Sequence, residues 1–155
     1  MIHEVSGDIL LTNAKVIAHG VAPNDHMDSG LALALRDRWP AMYKDFRHHF
    51  HGSHPEPGEL WTWGGAGGQR IVCLFTQGPH GHGGHPGPAT VPNVSHALKN
   101  LAKVAEQEAF ASIALPRLAT GVGALDWAEV EPLIRRYLGE LDLPVYLYTE
   151  YRAGQ

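Results

Sequence analysis

The stretch Ser112–Trp127, SIALPRLATGVGALDW, predicts the central unit of the fold. It begins with the short apolar run Ile113–Leu115, typical of a buried strand, and continues through a turn containing Gly121 and Gly123. Asp126 follows at a position suited to begin a helix. Such a strand, glycine turn and helix start can present backbone N–H groups to an anion. The same pattern also occurs for purely structural reasons. Whether this turn binds an anion therefore has to be judged from the rest of the chain.

Hydrophobic periodicity predicts that strands and helices alternate along the chain. The predicted strands are Met1–Val5, Val16–His19, Leu60–Trp63, Arg70–Thr76, Ser112–Leu115 and Pro144–Thr149. The predicted helices are Gly30–Arg38, a segment from Pro40 to Phe50, Asn93–Phe110 and a segment from Trp127 to about Leu141. This alternation predicts one α/β domain over residues 1–155, a three-layer α/β/α arrangement in which helices cover both faces of a mixed sheet.

Composition narrows the class of protein. The 155 residues are 44% hydrophobic and 18% charged, which is typical of a globular domain rather than a disordered chain. The net charge of −4 gives no overall attraction to nucleic acid or to acidic membranes, although a local basic groove stays open. The single cysteine, Cys73, lies in an apolar run and is interpreted as a core residue.

The sequence predicts a cytoplasmic monomer that does not associate with membranes. No apolar stretch reaches transmembrane length, and the N-terminus lacks the basic and apolar regions of a signal peptide. A lone cysteine cannot form an internal disulfide, as expected for a reducing compartment.

Three loops follow predicted strands, and we expect them to form the functional site. They are Gly20–Asp28, Gln77–Pro88 and Ala119–Leu125, all rich in glycine, proline or short polar residues. In sheets of this class, ligands bind beyond the carboxyl ends of the strands. The sequence therefore predicts a cleft built from these loops.

The order of short motifs along the chain is more specific than any one of them. The motifs are Gly7-Asp8-Ile9, Ala18-His19-Gly20, Ser29-Gly30-Leu31-Ala32, Leu74-Phe75-Thr76, Leu115–Gly123 and Leu125-Asp126-Trp127. Together they resemble the macrodomain family of ADP-ribose-binding modules. The pattern around Pro116 resembles one branch of that family. It contains enzymes that remove ADP-ribose from glutamate side chains, antitoxins that remove it from DNA bases, and ADP-ribose-1″-phosphate phosphatases.

The resemblance implies a ligand and the residues that contact it. The ligand is ADP-ribose, free or attached to a protein, a nucleic acid or a metabolite, and no cofactor is implied. Asp8 would accept a hydrogen bond from the adenine amino group, with Ile9 beside the ring, unless Asp8 is only a turn or cap residue. The implied set is Asp8, Ile9, His19, Ser29, Gly30, Thr76, Ala119, Thr120, Gly121, Val122, Gly123, Ala124 and Leu125. Within it, residues 120–123 would hold the diphosphate through backbone N–H groups, and Ser29 with Gly30 would lie near the distal ribose.

The chain departs from the branch at the position that usually carries catalysis. Hydrolases of this branch typically use a lysine in the loop after the Leu-Phe-Thr-like strand. Here Gln77 or Gly78 occupies that position, and the loop 77–88 contains no lysine. Some members place an aspartate in the glycine turn, where this chain has Gly123. A mechanism through a lysine adduct is therefore not predicted.

The loops offer other groups for chemistry. Asp25, with His80 or His82, is the predicted catalytic set: the carboxylate would activate water or hold ribose hydroxyls, and the imidazole would move a proton. Alternatively, Asp25 and Asp28 have structural roles only, stabilising a turn or capping the helix that follows.

The eleven histidines also raise a metal site as an alternative. The two groups with suitable spacing are His80, His82 and His85, and His48, His49, His51 and His54. Neither has a cysteine or a carboxylate to complete it, so no metal is predicted and the histidines are interpreted as solvated surface residues.

Three functions stay open on this basis. The first is an enzyme that hydrolyses an ADP-ribosyl linkage or an ADP-ribose derivative. The second is a non-catalytic reader of ADP-ribose. The missing lysine favours the reader, whereas the lack of a tethered partner domain favours the enzyme. The third, more remote, is a metal-dependent small-molecule enzyme that uses the histidine-rich loop.

Overall fold

We describe the fold from a computed structural model, in which residues 1–23, 25–51, 55–78, 87–121 and 123–155 are described. The strands are β1 (Ile2–Gly7), β2 (Val16–Val21), β3 (Leu60–Gly64), β4 (Arg70–Phe75), β5 (Ile113–Pro116) and β6 (Val145–Tyr151). The helices are α1 (Gly30–Arg38), α2 (Pro40–His49), α3 (Val91–Gln107) and α4 (Trp127–Leu138), with a 3-10 turn at Ile9–Leu11. Each element predicted from periodicity is present.

The strands form one sheet in the order β1-β6-β5-β2-β4-β3. Neighbouring strands run parallel, except that β3 pairs antiparallel with β4 at the edge. The sheet is therefore mixed, as predicted. The two central strands, β2 and β5, are neighbours in the sheet but lie far apart in the sequence. The order of the strands could therefore not be read from the sequence.

Apolar side chains cover both faces of the sheet. On β4, Val72 and Leu74 belong to a core beneath α3 and α4, whereas Ile71, Cys73 and Phe75 belong to a second core beneath α1 and α2. Successive side chains of a strand point to opposite faces, so a strand covered on both sides reads as a continuous apolar run. The predicted three-layer α/β/α arrangement is confirmed.

Helices α3 and α4 end about three residues earlier than the sequence predicts. Helix α3 ends at Gln107 rather than Phe110, and α4 ends at Leu138 rather than about Leu141. Phe110 and Leu141 are both 7% exposed and pack into the core after the chain has left the helix. Apolar periodicity alone counted them as helical because buried residues beyond a helix end continue its apolar pattern.

Helices α3 and α4 differ in how their N-termini are capped. Thr90 caps α3, because its hydroxyl accepts a hydrogen bond from the N–H of Asn93 at 3.2 Å. Asp126 precedes α4 as predicted, but its side chain makes no capping hydrogen bond. Among the described helices, none combines the length and the apolar composition needed to cross a bilayer.

Candidate functional site

The path of the chain opens a cleft between β2 and β5. Strand β2 leads to α1 on one face of the sheet, whereas β5 leads to α4 on the other. When adjacent parallel strands send the chain to opposite faces, a crevice forms beyond their carboxyl ends. A cleft of about 410 Å³ lies there, and this volume suits a small-molecule ligand.

Residues of all three predicted loops line this cleft. The lining residues are His19, Gly20, Asp25, Ser29, Gly30, Leu31, Ala32, Gln77, Pro116, Arg117, Leu118, Ala119, Thr120, Gly121, Gly123, Tyr148, Thr149 and Tyr151. Of the residues predicted from sequence, Asp8, Ile9, Thr76, Ala124 and Leu125 do not belong to the lining. Val122, His80 and His82 lie outside the described residues.

The N-terminus of α1 faces the cleft with unsatisfied donors. Ser29 is the N-cap residue in an extended conformation, but its side chain makes no capping hydrogen bond, and the first turn holds no acidic residue. Within the described residues, the N–H groups of Leu31 and Ala32 have no acceptor. A helix start in this state attracts an anion through its free N–H groups and its dipole.

The turn after β5 presents a second set of donors. Ala119 and Ala124 both adopt left-handed backbone angles, with φ of 63° and 65°, which cost a non-glycine residue ~1–2 kcal/mol each. The N–H of Leu125 donates to the carbonyl of Ala119 at 3.0 Å and fixes this shape. No acceptor for the N–H groups of Thr120, Gly121 and Gly123 is found among the described residues.

The two glycines of this turn have different surroundings. A Cβ on Gly121 would meet nothing within 4 Å, so this backbone borders open space at the cleft. A Cβ on Gly123 would lie 2.7 Å from the carbonyl oxygen of Ala119 and 2.8 Å from the Cβ of Ala89. Gly123 is therefore required by packing, whereas Gly121 leaves space that a ligand can occupy.

Asp25 organises the loop after β2. Its Oδ1 accepts a hydrogen bond from the N–H of Met27 at 2.7 Å, and its Oδ2 accepts one from the N–H of Ala22 at 3.0 Å. These bonds hold Met27 at a positive φ of 52°. The Asp25 carboxylate therefore stabilises the turn, which was the alternative interpretation of this residue. Asp25 also lines the cleft and is 7% exposed.

His19 lies at the floor of the cleft against Cys73 of the neighbouring strand. Its Nε2 is 3.3 Å from the Cys73 sulfur, and its buried Nδ1 has no partner among the described residues. Burial lowers the pKa of His19 to about 4. Burial, and then the charge of Asp25, raise the pKa of the Cys73 thiol. At neutral pH the pair is therefore a neutral imidazole beside a protonated thiol.

Gln77 is the first residue of the loop in which the resemblance leads one to look for a lysine. It is 4% exposed and lines the cleft, and its Nε2 donates to the carbonyl of Gly87 at 2.9 Å. Gln77 also pairs with Ala89 in an isolated antiparallel bridge. Its amide therefore holds together the two ends of the loop 78–87.

Asp8 and Thr76 have structural contacts and do not belong to the cleft lining. Asp8 caps the 3-10 turn, because its Oδ1 accepts from the N–H of Leu10 at 3.0 Å. The Thr76 hydroxyl is buried without a partner among the described residues. It occupies the space beside Gly20, where a Cβ would lie only 2.6 Å from its oxygen.

Sequence reasoning missed the residues at the ends of β5 and β6. Arg117 lies at the cleft with its guanidinium 5.5 Å from the Trp127 ring centre. Tyr148, Thr149 and Tyr151 line the cleft from β6, and Tyr151 is 72% exposed. Arg117 belongs to the motif Leu115–Gly123 but was not assigned to the site from sequence. The residues of β6 gave no signal except their place at the end of a strand, which is informative only once the strand order is known.

The described histidines do not assemble a metal site. Among residues 1–23, 25–51, 55–78, 87–121 and 123–155, no three histidine, cysteine or acidic side chains are grouped as metal ligands would be. His54, His80, His82 and His85 lie outside those ranges.

Comparison with known proteins identifies a family and several relatives. The family model described as Macro domain matches residues 18–134. A protein of Thermosipho africanus named DNA ADP-ribosyl transferase-DNA ADP-ribosyl glycohydrolase fusion protein is 34% identical over 161 residues, covering 93% of the chain and 40% of that protein. The DNA ADP-ribosyl glycohydrolase of Mycobacterium tuberculosis is 26% identical over 133 residues, covering 84% of the chain and 37% of that protein. The chain thus spans about two fifths of these relatives' length.

Solved structures share the fold. The macrodomain of Mycobacterium tuberculosis DarG has a TM-score of 0.86 at 24% identity, covering 96% of the chain and 97% of that structure. Thermosipho africanus DarTG in complex with ADP-ribose has a TM-score of 0.84 at 22% identity, covering 97% of the chain and 41% of that structure.

The glycine geometry predicts unequal effects on stability. Gly123→Ala is expected to lower the free energy of unfolding by ~1–3 kcal/mol, because the new Cβ meets backbone that cannot move aside. Gly121→Ala is expected to change it by less than about 0.5 kcal/mol. Urea denaturation of both variants measures the difference, and equal effects would contradict the packing assigned to Gly123.

The burial of His19 predicts a pH dependence of stability. Its pKa is 6.5 unfolded and about 4 folded, so the unfolded chain binds the proton first. Stability is complete above pH 6.5 and falls towards pH 4, with His19 contributing about 3 kcal/mol of the loss. Urea denaturation from pH 7.5 to 4 should give a shallower loss for His19→Gln than for the unsubstituted protein. Parallel losses would show that His19 does not titrate as its burial requires.

Proposed function

Because the chain belongs to the macrodomain family, we propose that its cleft binds ADP-ribose and that it hydrolyses an ADP-ribosyl linkage. The observation that carries the proposal is the pair of donor sets on the two sides of the cleft. The start of α1 and the turn 119–123 both present backbone N–H groups for which the described residues supply no acceptor. A diphosphate satisfies such groups without a basic side chain.

The strand order orients the ligand along the cleft. The cleft crosses the carboxyl ends of β6, β5, β2 and β4 in turn. The diphosphate belongs over β5, next to the turn 119–123. Tyr148 and Tyr151 of β6 form an aromatic end, and β6 pairs with β1 just before Asp8, so adenine belongs there. The distal ribose then lies over β2 and β4, near His19, Asp25 and Gln77.

Hydrolysis in this arrangement uses water. Cleaving the bond between the anomeric carbon and the attached group leaves positive charge on the ribose ring. Asp25 lines that end of the cleft as the one described carboxylate in the lining, and it stabilises this charge. Water adds to the anomeric carbon, the attached group departs with the bonding electrons and takes up a proton, and the proton of the water passes to a base. Asp25, with His80 or His82, remains the predicted set for this transfer.

The attached group is proposed to be a DNA base, because the relatives described above are named for removing ADP-ribose from DNA. A reader that binds without turnover is the second candidate. It is favoured by one observation: no lysine is present in the loop 77–88, and Gln77 at the start of that loop uses its amide to hold the carbonyl of Gly87. ADP-ribose binding is common to both candidates, so turnover separates them.

Calorimetric titration with ADP-ribose tests the ligand, with AMP and ADP as controls. Binding should strengthen from AMP to ADP to ADP-ribose, as the diphosphate and then the distal ribose are added. Gly121→Val should weaken ADP-ribose binding at least tenfold, because its side chain fills the space beside the diphosphate donors. Gly64→Val, at the exposed end of β3 and outside the cleft lining, is the matched control. Unchanged affinity in Gly121→Val would remove the diphosphate from this turn.

Release of ADP-ribose from an ADP-ribosylated DNA oligonucleotide, compared with an ADP-ribosylated protein, tests the reaction. Asp25→Asn should lower turnover about a hundredfold while ADP-ribose affinity falls by only a few-fold, because the lost charge matters most in the transition state. Asp28→Asn, an exposed carboxylate on the same loop, should leave turnover unchanged. A parallel loss of binding and turnover in Asp25→Asn would assign Asp25 to loop structure alone, and binding without turnover by the unsubstituted protein would identify a reader.

A further inference from the structure

The segment 36–51 concentrates basic side chains that the cleft does not use. It holds four of the 12 lysines and arginines and three of the 11 histidines, but only two of the 16 acidic residues. It is therefore locally positive in a chain whose net charge is −4. None of its residues belongs to the cleft lining, so the formation of the cleft does not account for this charge.

Four of these side chains share one face of α2 and its C-terminal end. Lys44, Arg47, His48 and His51 follow the spacing i, i+3, i+4 and i+7, and all four are exposed. Phe46, on the opposite side of the helix, is buried in the core beneath α2. The four residues, called here the α2 basic face, therefore point away from the sheet towards solvent.

The stability of the helix does not explain this grouping. Among the described residues no carboxylate pairs with Lys44 or Arg47, and the adjacent Asp45 accepts a hydrogen bond from the Trp63 indole at 2.8 Å instead. The helix dipole favours cations in the last turn, which accounts for Arg47 and His48 but not for Lys44. Like charges three or four residues apart destabilise a helix. An anion from outside the chain is therefore the partner that this face fits.

Helix α2 leads to the edge of the sheet that carries the cleft. Near its middle, Asp45 contacts Trp63, which pairs with Ile71 close to the start of β4. Just after its end, Phe50 packs against Phe75, the last residue of β4, with ring centroids 5.5 Å apart. The helix therefore runs along β4 from its amino end to its carboxyl end. The α2 basic face ends on the side of the cleft to which the distal ribose is assigned.

We propose that the α2 basic face binds the sugar-phosphate backbone of single-stranded DNA next to the ADP-ribosylated base. This inference rests on the function proposed above, in which the attached group is a DNA base beyond the distal ribose. A base bonded to a ribose inside the cleft cannot stay stacked in a duplex, so the favoured substrate is a single strand. Lys44 and Arg47 neutralise its phosphates, and His48 and His51 donate N–H groups to phosphate oxygens.

The salt dependence of DNA binding tests this contact. The probe is a fluorescein-labelled single strand of about ten unmodified nucleotides, followed by fluorescence anisotropy. Lys44→Gln combined with Arg47→Gln should weaken binding about tenfold at low salt. It should also reduce the slope of log affinity against log salt by about 1.4, because each phosphate contact on a single strand contributes about 0.7.

A matched control removes the same charge elsewhere. Lys99→Gln combined with Lys103→Gln changes two exposed positions of α3, which covers the opposite face of the sheet, and should alter binding less than about twofold. Exchanging the two cations of α2, as Lys44→Arg with Arg47→Lys, keeps the charge and should bind as the unsubstituted protein does. A loss in the exchanged variant equal to that of the glutamine variant would overturn the electrostatic role.

Turnover of an ADP-ribosylated single-stranded oligonucleotide separates this surface from the cleft. In Lys44→Gln with Arg47→Gln, KM should rise about tenfold while kcat is unchanged, because the contact is equally present before and during the reaction. Affinity for free ADP-ribose should equal that of the unsubstituted protein.

The outcomes distinguish this inference from the proposed function. If the unsubstituted protein neither binds ADP-ribose nor releases it from DNA, the proposed function fails, whatever the α2 variants do. If it acts on ADP-ribosylated DNA but the α2 and α3 double variants bind the oligonucleotide equally, only the inference fails. A loss of ADP-ribose affinity in the α2 double variant also overturns it, because α2 would then support the cleft itself. Binding of a duplex of the same sequence as tightly as the single strand would remove the single strand as the partner.

Discussion

The site depends on one constraint, the parallel pairing of β2 with β5 at the centre of the sheet. From this pair the chain leaves towards α1 on one face and α4 on the other. Both exits carry unusual backbone: Gly30 and Ala119 have φ of 59° and 63°. Because the chain leaves the two strands towards opposite faces, neither connection covers the carboxyl ends of the strands. The space between the two connections therefore stays open as the cleft. The two cores hold the strands in register beneath it.

The cleft is characterised by donors rather than by charge. Arg117 is the one described cation in its lining, yet the described residues leave several backbone N–H groups without acceptors. Donors held fixed by the fold need no reorganisation when an oxygen-rich ligand arrives. A chain with a net charge of −4 can therefore bind a diphosphate, because the attraction is local.

The sequence predicted the elements well because their signals are local. The continuous apolar run Ile71–Phe75 indicated a strand buried on both faces, and the glycine turn indicated a break after β5. Strand order is not local, so the part played by Tyr148 and Tyr151 became visible only once β6 was placed beside β5. The ends of α3 and α4 were extended because Phe110 and Leu141 are buried for reasons of packing. The contact between His19 Nε2 and Cys73 likewise depends on folding, because the two residues are 54 positions apart in the sequence. The hydrogen bonds of Asp25 to Ala22 and Met27 are local, and the turn interpretation of Asp25 anticipated them.

Because the loop 77–88 contains no lysine, the proposed chemistry falls to other groups in the cleft. On the β4 side, the amide of Gln77 holds the carbonyl of Gly87 and is not a nucleophile. On the β2 side, Asp25 lines the cleft with its carboxylate. A carboxylate can stabilise a cationic ribose without forming a covalent adduct. This arrangement fits the proposed attack by water rather than by a side chain.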